Sequence, residues 1–176
     1  MSEILRLYTA NFKQCEKAFG IYLPSASLIP VKYQELPKSL KQQIEKENNC
    51  GLSIKVNHQD LGTTYIAEFT GLDLFYLEDR NTENKYAGEG RVYVESSDES
   101  EIPVVGYTYT SEKSRRLGFG TRRLFVMNAL SRVKFKTPIS SSGSPKPTQR
   151  SIWEKLVDEE IAEIHYWNGT QRYKFS

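Results

Sequence analysis

Cysteine is scarce. Cys15 and Cys50 are the two among 176 residues, too few for a disulfide framework, so reduced thiols in a cytoplasmic protein are expected. No apolar run approaches the roughly 18–20 residues that cross a bilayer, and no membrane partner is expected. The opening Met1-Ser2-Glu3-Ile4-Leu5-Arg6 lacks the basic start and apolar stretch of a signal peptide. Histidine is limited to His58 and His165, far apart in sequence, so no zinc or other metal site is expected. Gly-Lys-Ser/Thr occurs nowhere, which excludes a Walker loop. Gly-x-Ser-x-Gly, the serine-hydrolase elbow, is missing too.

Acidic residues are absent from Lys113 to Trp153, a stretch that carries Lys113, Arg115, Arg116, Arg122, Arg123, Arg132, Lys134, Lys136, Lys146 and Arg150. Residues 1–112 hold 11 basic and 17 acidic residues, so the net charge of +2 conceals a divided chain. A local positive field of this kind attracts a polyanion.

The length fits one domain over residues 1–176. Tyr8 to Ala18 has the texture of a short helix, and Pro24 and Pro30 cut the next stretch into irregular or extended pieces. Leu36-Pro37-Lys38 reads as a helix start, with Leu36, Leu40 and Ile44 on one face and Asn48-Asn49-Cys50-Gly51 at the end. Residues 1–50 thus form a variable, largely helical N-terminal part. Period-two alternation then predicts strands over Leu52–Asn57, Thr63–Thr70 and Leu72–Leu77. A polar loop is expected over Asp79–Gly90, then strands over Arg91–Glu95 and Ile102–Thr110. A helix from Phe119 to Val133 buries Val126, Ala129, Leu130 and Val133. A short strand is expected at Phe135–Ser140 and a helix at Thr148–Val157. The closing hairpin turns on Asn168-Gly169, a pair suited to a type I′ turn. This order argues for an α+β fold with a mixed, mostly antiparallel sheet.

The chemistry concentrates in Arg115-Arg116-Leu117-Gly118-Phe119-Gly120-Thr121, between a strand and an amphipathic helix. The first turn of a helix leaves backbone N–H groups without acceptors, and the aligned peptide dipoles make that end partly positive. Glycines ahead of it permit positive φ and remove side chains that would block a ligand. An anion can therefore rest on the bare amides, with Arg115, Arg116 and the Thr121 hydroxyl beside it. The dinucleotide fingerprint does not fit, because the position for its third glycine is Arg123.

This pattern, Arg/Gln-x-x-Gly-x-Gly/Ala between strand and helix, resembles the signature of the GNAT superfamily of acyl-CoA N-acyltransferases, with Arg115, Gly118 and Gly120 in the matching positions. Residues 90–176 resemble the family's cofactor-binding core, and the ending Gln171-Arg172-Tyr173-Lys174-Phe175 is similar to short bacterial and phage-encoded members. The resemblance implies a GNAT-like splayed sheet flanked by helices, with Ile102–Thr110 and Phe135–Ser140 parting like a V. It implies acetyl-CoA, or another acyl-CoA, as co-substrate: the diphosphate on the amides of Arg115, Arg116, Leu117, Gly118, Phe119, Gly120 and Thr121, and the pantetheine along Tyr107, Thr108, Tyr109 and Thr110. The acyl group would pass directly to an amine acceptor, whether a small molecule, a protein lysine or N-terminus, or a tRNA-linked amine. For proton handling, Glu101 or Glu95 is the expected base and Tyr107 a further candidate. Many members carry a tyrosine on the helix after the second strand of the V; the helix here carries Trp153 instead, and Ser144 and Ser151 are the nearby hydroxyls. Two other readings compete: a GNAT-like binding or inhibitor protein without chemistry, and a nucleic-acid-binding module resting on the acid-free stretch.

Overall fold

A computed structural model describes residues 6, 10, 26–47, 50–58, 62–69 and 74–176. The expected helix over Tyr8 to Ala18 lies almost wholly outside them. Among the described residues no helix is long and apolar enough to cross a membrane.

Alternation of buried and half-buried residues builds one antiparallel meander. Its six strands are β1 (Ala26–Pro30), β2 (Cys50–His58), β3 (Gly62–Phe69), β4 (Leu74–Arg80), β5 (Tyr86–Ser96) and β6 (Glu101–Thr110), paired in chain order. Period two sends Ile66 to one face and Ala67 and Phe69 to the other. Helix α1 (Lys38–Glu47) covers the second face, burying Leu40 and Ile44 at the four-residue spacing, with Leu36 just ahead of it buried in the same cluster. Helix α2 (Phe119–Lys134) covers the first face over Ile66, Phe75, Leu77, Val92 and Val105. The fold is thus α+β, a mostly antiparallel sheet with helices on its faces.

Helix α3 (Pro147–Asp158) inserts Trp153, fully buried, between Tyr173 and Phe175 of the final hairpin. That hairpin is β7 (Ala162–Trp167) and β8 (Thr170–Phe175), and its turn places Asn168 and Gly169 at φ 50° and 75°, as a type I′ turn needs.

Two expectations are corrected. The loop over Asp79–Gly90 shrinks to Asn81–Lys85, because β4 continues to Arg80 and β5 begins at Tyr86. Its polar residues suggested solvent, yet Asp79 is buried and bonded, as is Glu78 just ahead of it. The strand Phe135–Ser140 reduces to one bridging residue, Ser140, which bridges Val104 in parallel and Lys174 in antiparallel sense, since α2 runs to Lys134, Phe135 caps it, and Lys136 turns the chain at φ 59°.

Candidate active site

The open end of the sheet comes from one bridge and one bulge. Val105 N–H donates to Ser140 O and Ser140 N–H donates to Pro103 O, both at 2.9 Å. Among the described residues β6 and the segment after Ser140 share only that parallel bridge, so the strands part beyond it. On its other side, β6 pairs Gly90 with Thr108 and Val92 with Val105, so Arg91 alone faces Gly106 and Tyr107. This extra residue reverses the side-chain parity of β6. Before it, Val105 faces α2; after it, Thr108 and Thr110 do, while the exposed Tyr107 and Tyr109 alternate with them.

The arm of β6 then enters the phosphate turn. Ser111 N–H donates to Ala87 O, a short 3-10 turn spans Glu112–Ser114, and Gly118 caps α2 at φ 85°. A side chain at Gly118 would be strained in that left-handed region. Arg116 holds φ 64°, a conformation uncommon outside glycine and frequent where a ligand is gripped. The first intrahelical bond runs from Arg122 N–H to Gly118 O. The amides of Phe119, Gly120 and Thr121 therefore have no acceptor within the helix. Arg115 and Arg116 are exposed beside them, and Arg115 Nε donates to Thr110 O at 3.3 Å. Leu117 is exposed, whereas Phe119 and Thr121 are buried. A side chain at Gly120 would meet only Thr110 Oγ1, at 3.5 Å, so the mouth has room for a ligand.

The positive stretch is smaller than its sequence suggests. Arg122 and Arg123 are 1% and 0% exposed. Both turn inward to Asp79, with Arg122 Nη2 at 3.1 Å from Oδ1 and Arg123 Nε at 2.8 Å from Oδ2. Lys134 pairs with Glu68, and Arg132 donates to Ser176 O. Lys113, Arg115, Arg116, Lys136, Lys146 and Arg150 remain exposed, and the first three lie in the turn that leads into α2.

The Asp79 network extends to β2. Thr64 Oγ1 donates to Asp79 Oδ1 at 2.6 Å and lies 2.9 Å from His58 Nε2. Because the hydroxyl proton goes to Asp79, His58 donates from Nε2 and stays neutral. Burial drives its pKa from 6.5 down to about 2, with Arg122 adding to the fall. Burial alone would raise Asp79, but Arg123, Arg122 and the Thr64 hydroxyl together hold it below the ordinary value. Below pH 6.5 the unfolded chain takes up a proton that the native His58 refuses until about pH 2. Stability should therefore fall as pH falls through 6.5, the slope approaching about 1.4 kcal/mol per pH unit well below it. Urea midpoints should show a loss of roughly 2 kcal/mol from about pH 7 to about pH 5, steepening toward the acid end, and His58→Gln should flatten it.

Of the expected bases, neither carboxylate stands at the bulge. Glu101 opens β6, exposed and 3.3 Å from Ser96 Oγ. That puts it about 17 Å along the strand from Gly106. Glu95 accepts from Arg172 Nη2 and from Tyr93 Oη, each at 2.7 Å. Burial would raise its pKa, but those two hydrogen bonds and the Arg172 charge hold it low, so it is a poor proton acceptor. Arg172 also donates to Ser141 O, so the pair clips β5 to the far wall of the V at its apex. Ser144 is exposed in the loop ahead of α3. Tyr107 alone of the proton-handling candidates lies at the bulge.

The sequence reading missed the groups that accompany Tyr107. A cleft of about 270 Å³ opens between α1 and β4–β6, lined by Ser39, Tyr76, Glu78, Glu89, Arg91 and Tyr107 among others. Glu78 is held by Arg80 at 2.7 Å and by Ser39. Arg91 donates to Tyr76 Oη at 3.1 Å. Glu89, half-buried, stands directly across from Glu78 and from Tyr109 and is bonded by the Tyr86 hydroxyl. Its period-two relation to Arg91 was the signal, hidden by the polar, glycine-containing run around it.

No family model matches the chain, and no curated protein does. Among solved structures the chain is similar to an IAA acetyltransferase from Bacillus cereus, at 15% identity over 85% of this chain and 97% of that one, with a TM-score of 0.38. It is similar to a Bacillus subtilis acetyltransferase in complex with CoA, at 13% identity over 88% and 99%, TM-score 0.39. It is also similar to a GNAT family acetyltransferase from Elizabethkingia anophelis with acetyl-CoA bound, at 15% identity over 85% and 95%, TM-score 0.38. At these scores the likeness is too weak to carry anything about the site. In the chain's own geometry, β6 parts from the segment after Ser140 and a glycine-led helix stands at the open end, two features expected from the sequence, and there is a bulge at the fork, which was not.

Proposed function

We propose that the chain is a GNAT-superfamily N-acyltransferase that uses an acyl-CoA, with acetyl-CoA the first to test, and acylates a primary amine. The observation that carries this reading is the juxtaposition of the bulged arm of β6, which among the described residues pairs along its β5 edge alone, with the bare amides at the mouth of α2. A diphosphate fits the amides from Arg116 to Thr121, flanked by the exposed Arg115 and Arg116, and a pantetheine fits the free edge from Tyr107 to Thr110. Acyl-CoA supplies an activated thioester at the fork. A backbone N–H on the open edge of β6 near the bulge would hold a carbonyl oxygen as charge grows on it. The acceptor amine enters from the cleft between α1 and β4–β6, where Glu89 takes the ammonium proton, directly or through a water; the neutral amine attacks the thioester carbonyl, the C–S bond breaks, and CoA leaves as its thiol with the second amine proton.

Calorimetry with acetyl-CoA tests the cofactor half: folded protein that binds none at millimolar ligand rules the reading out. Binding without turnover over a broad amine panel would favour a binding protein that has lost chemistry. The burial of Arg122 and Arg123 removes two phosphate contacts from a nucleic-acid reading, and a flat salt dependence of any such binding would end it.

Glu89 and Glu95 make opposite predictions. Glu89→Gln should lower kcat by about a hundredfold or more with little change in the KM for acetyl-CoA. Glu95→Gln should leave the pH–rate profile in place but cost about 1–2 kcal/mol of stability, because Arg172 loses its anion. A Glu89→Gln enzyme with full kcat would remove Glu89 from the chemistry.

A further inference from the structure

Arg123 sits one turn into α2, and its side chain runs inward to the sheet, fully buried. Each guanidinium nitrogen has its own acceptor. Nε donates to Asp79 Oδ2 at 2.8 Å, Nη1 to Thr108 Oγ1 at 2.7 Å and Nη2 to Thr110 Oγ1 at 3.4 Å. The path exists because β5 carries glycine where it crosses. A Cβ at Gly88 would lie 2.2 Å from Nη2 and 2.4 Å from Tyr109 O. One at Gly90 would lie 2.9 Å from Arg123 Cδ and 2.4 Å from Met127 Cε.

Thr108 and Thr110 belong to the arm of β6 beyond the bulge, the part with a strand neighbour on β5 and none on its other edge among the described residues. The same helix that presents the phosphate amides thus holds the strand that would line the pantetheine. We infer that Arg123 is a positioning residue: its fork fixes the open arm of β6 at a set distance from the mouth of α2, so that the two halves of the site match one ligand. This rests on the acyl-CoA reading. Arginine suits the task because its planar fork sends donors in fixed directions, whereas a lysine ammonium is a single point charge. The anchoring Asp79 keeps the guanidinium from rotating away from the threonines.

Thr108→Val removes the shortest of the fork's contacts to the arm, and Thr108→Ser keeps it. Calorimetry with CoA probes both halves of the site, and ADP probes the diphosphate half alone. Thr108→Val should weaken CoA about tenfold while leaving ADP affinity and the fold intact. Thr108→Ser should restore CoA affinity. A merely structural threonine would lower thermal stability and weaken both ligands alike, and that result overturns the inference. Unchanged CoA affinity in a folded Thr108→Val protein overturns it as well. Should Thr108→Val not fold, Thr110→Val takes its place with the same outcomes. Wild-type protein that binds neither CoA nor ADP defeats the acyl-CoA reading itself. Wild-type binding with an indifferent valine variant defeats only the fork.

Discussion

Asp79→Ala should destabilise the protein by about 3–5 kcal/mol, because it strands two buried cations at once. Asp79 is 0% exposed and accepts from Arg122, Arg123 and Thr64. Water cannot replace it, since both guanidinium groups lie in the layer between β4 and α2. A loss of that size is a large share of the roughly 5–15 kcal/mol that holds a typical domain together. Asp79→Asn should fare little better, because its amide presents a donor to groups that also donate. Chemical denaturation monitored by tryptophan fluorescence reads the change, with Trp153 in the core as the reporter. If unpaired charge causes the loss, Asp79→Leu combined with Arg122→Met and Arg123→Met should recover most of the stability. The triple variant should still bind CoA poorly, since Thr108 and Thr110 would have lost the fork. A single Asp79→Ala variant as stable as wild type would mean that these charges are solvated.

The same network shows where a sequence alone misleads. Local signals are legible. The spacing of Leu36, Leu40 and Ile44 marks the face of α1, Asn168-Gly169 marks the last hairpin, and the glycines at 118 and 120 mark the start of α2. Each depends on neighbours a few residues away. Arg122 and Arg123 depend on Asp79, more than forty positions earlier. In sequence they join a basic run and look solvated; in the fold they are the interior of the molecule. Asp79 itself sits in a polar stretch with the composition of a loop, yet that stretch forms the ends of two central strands. Gly88 and Gly90 there make space for a side chain from another element rather than a turn. The base is hard to read for a related reason. Glu95 lies near the fork, but only the fold reveals that Arg172, from the final strand, neutralises it. Glu89, across the sheet from Glu78, becomes visible as a candidate only once β4 and β5 are paired in register.

Gly120→Asp should separate stability from binding in opposite directions. Gly120 is the second residue of α2, and an added Cβ would meet only Thr110 Oγ1 at an ordinary 3.5 Å. A carboxylate in the first turn complements the helix dipole and typically stabilises by about 0.3–1 kcal/mol. The first turn of α2 carries no acidic residue of its own, so thermal stability should hold or rise. The same carboxylate, however, occupies the place of the diphosphate and opposes its charge. Two unit charges about 4 Å apart near a protein surface repel by about 4 kcal/mol, which corresponds to roughly a thousandfold in affinity. Gly120→Ala supplies the control, since a methyl group fits the space and carries no charge; its CoA affinity should stay within a fewfold of wild type. Raising the salt concentration should narrow the gap between the aspartate and alanine variants, because part of the repulsion passes through solvent. An aspartate variant that melts at or above the wild-type temperature and still binds acetyl-CoA as well would place the ligand somewhere other than the mouth of α2. The bare amides there would then be no more than the ordinary start of a helix.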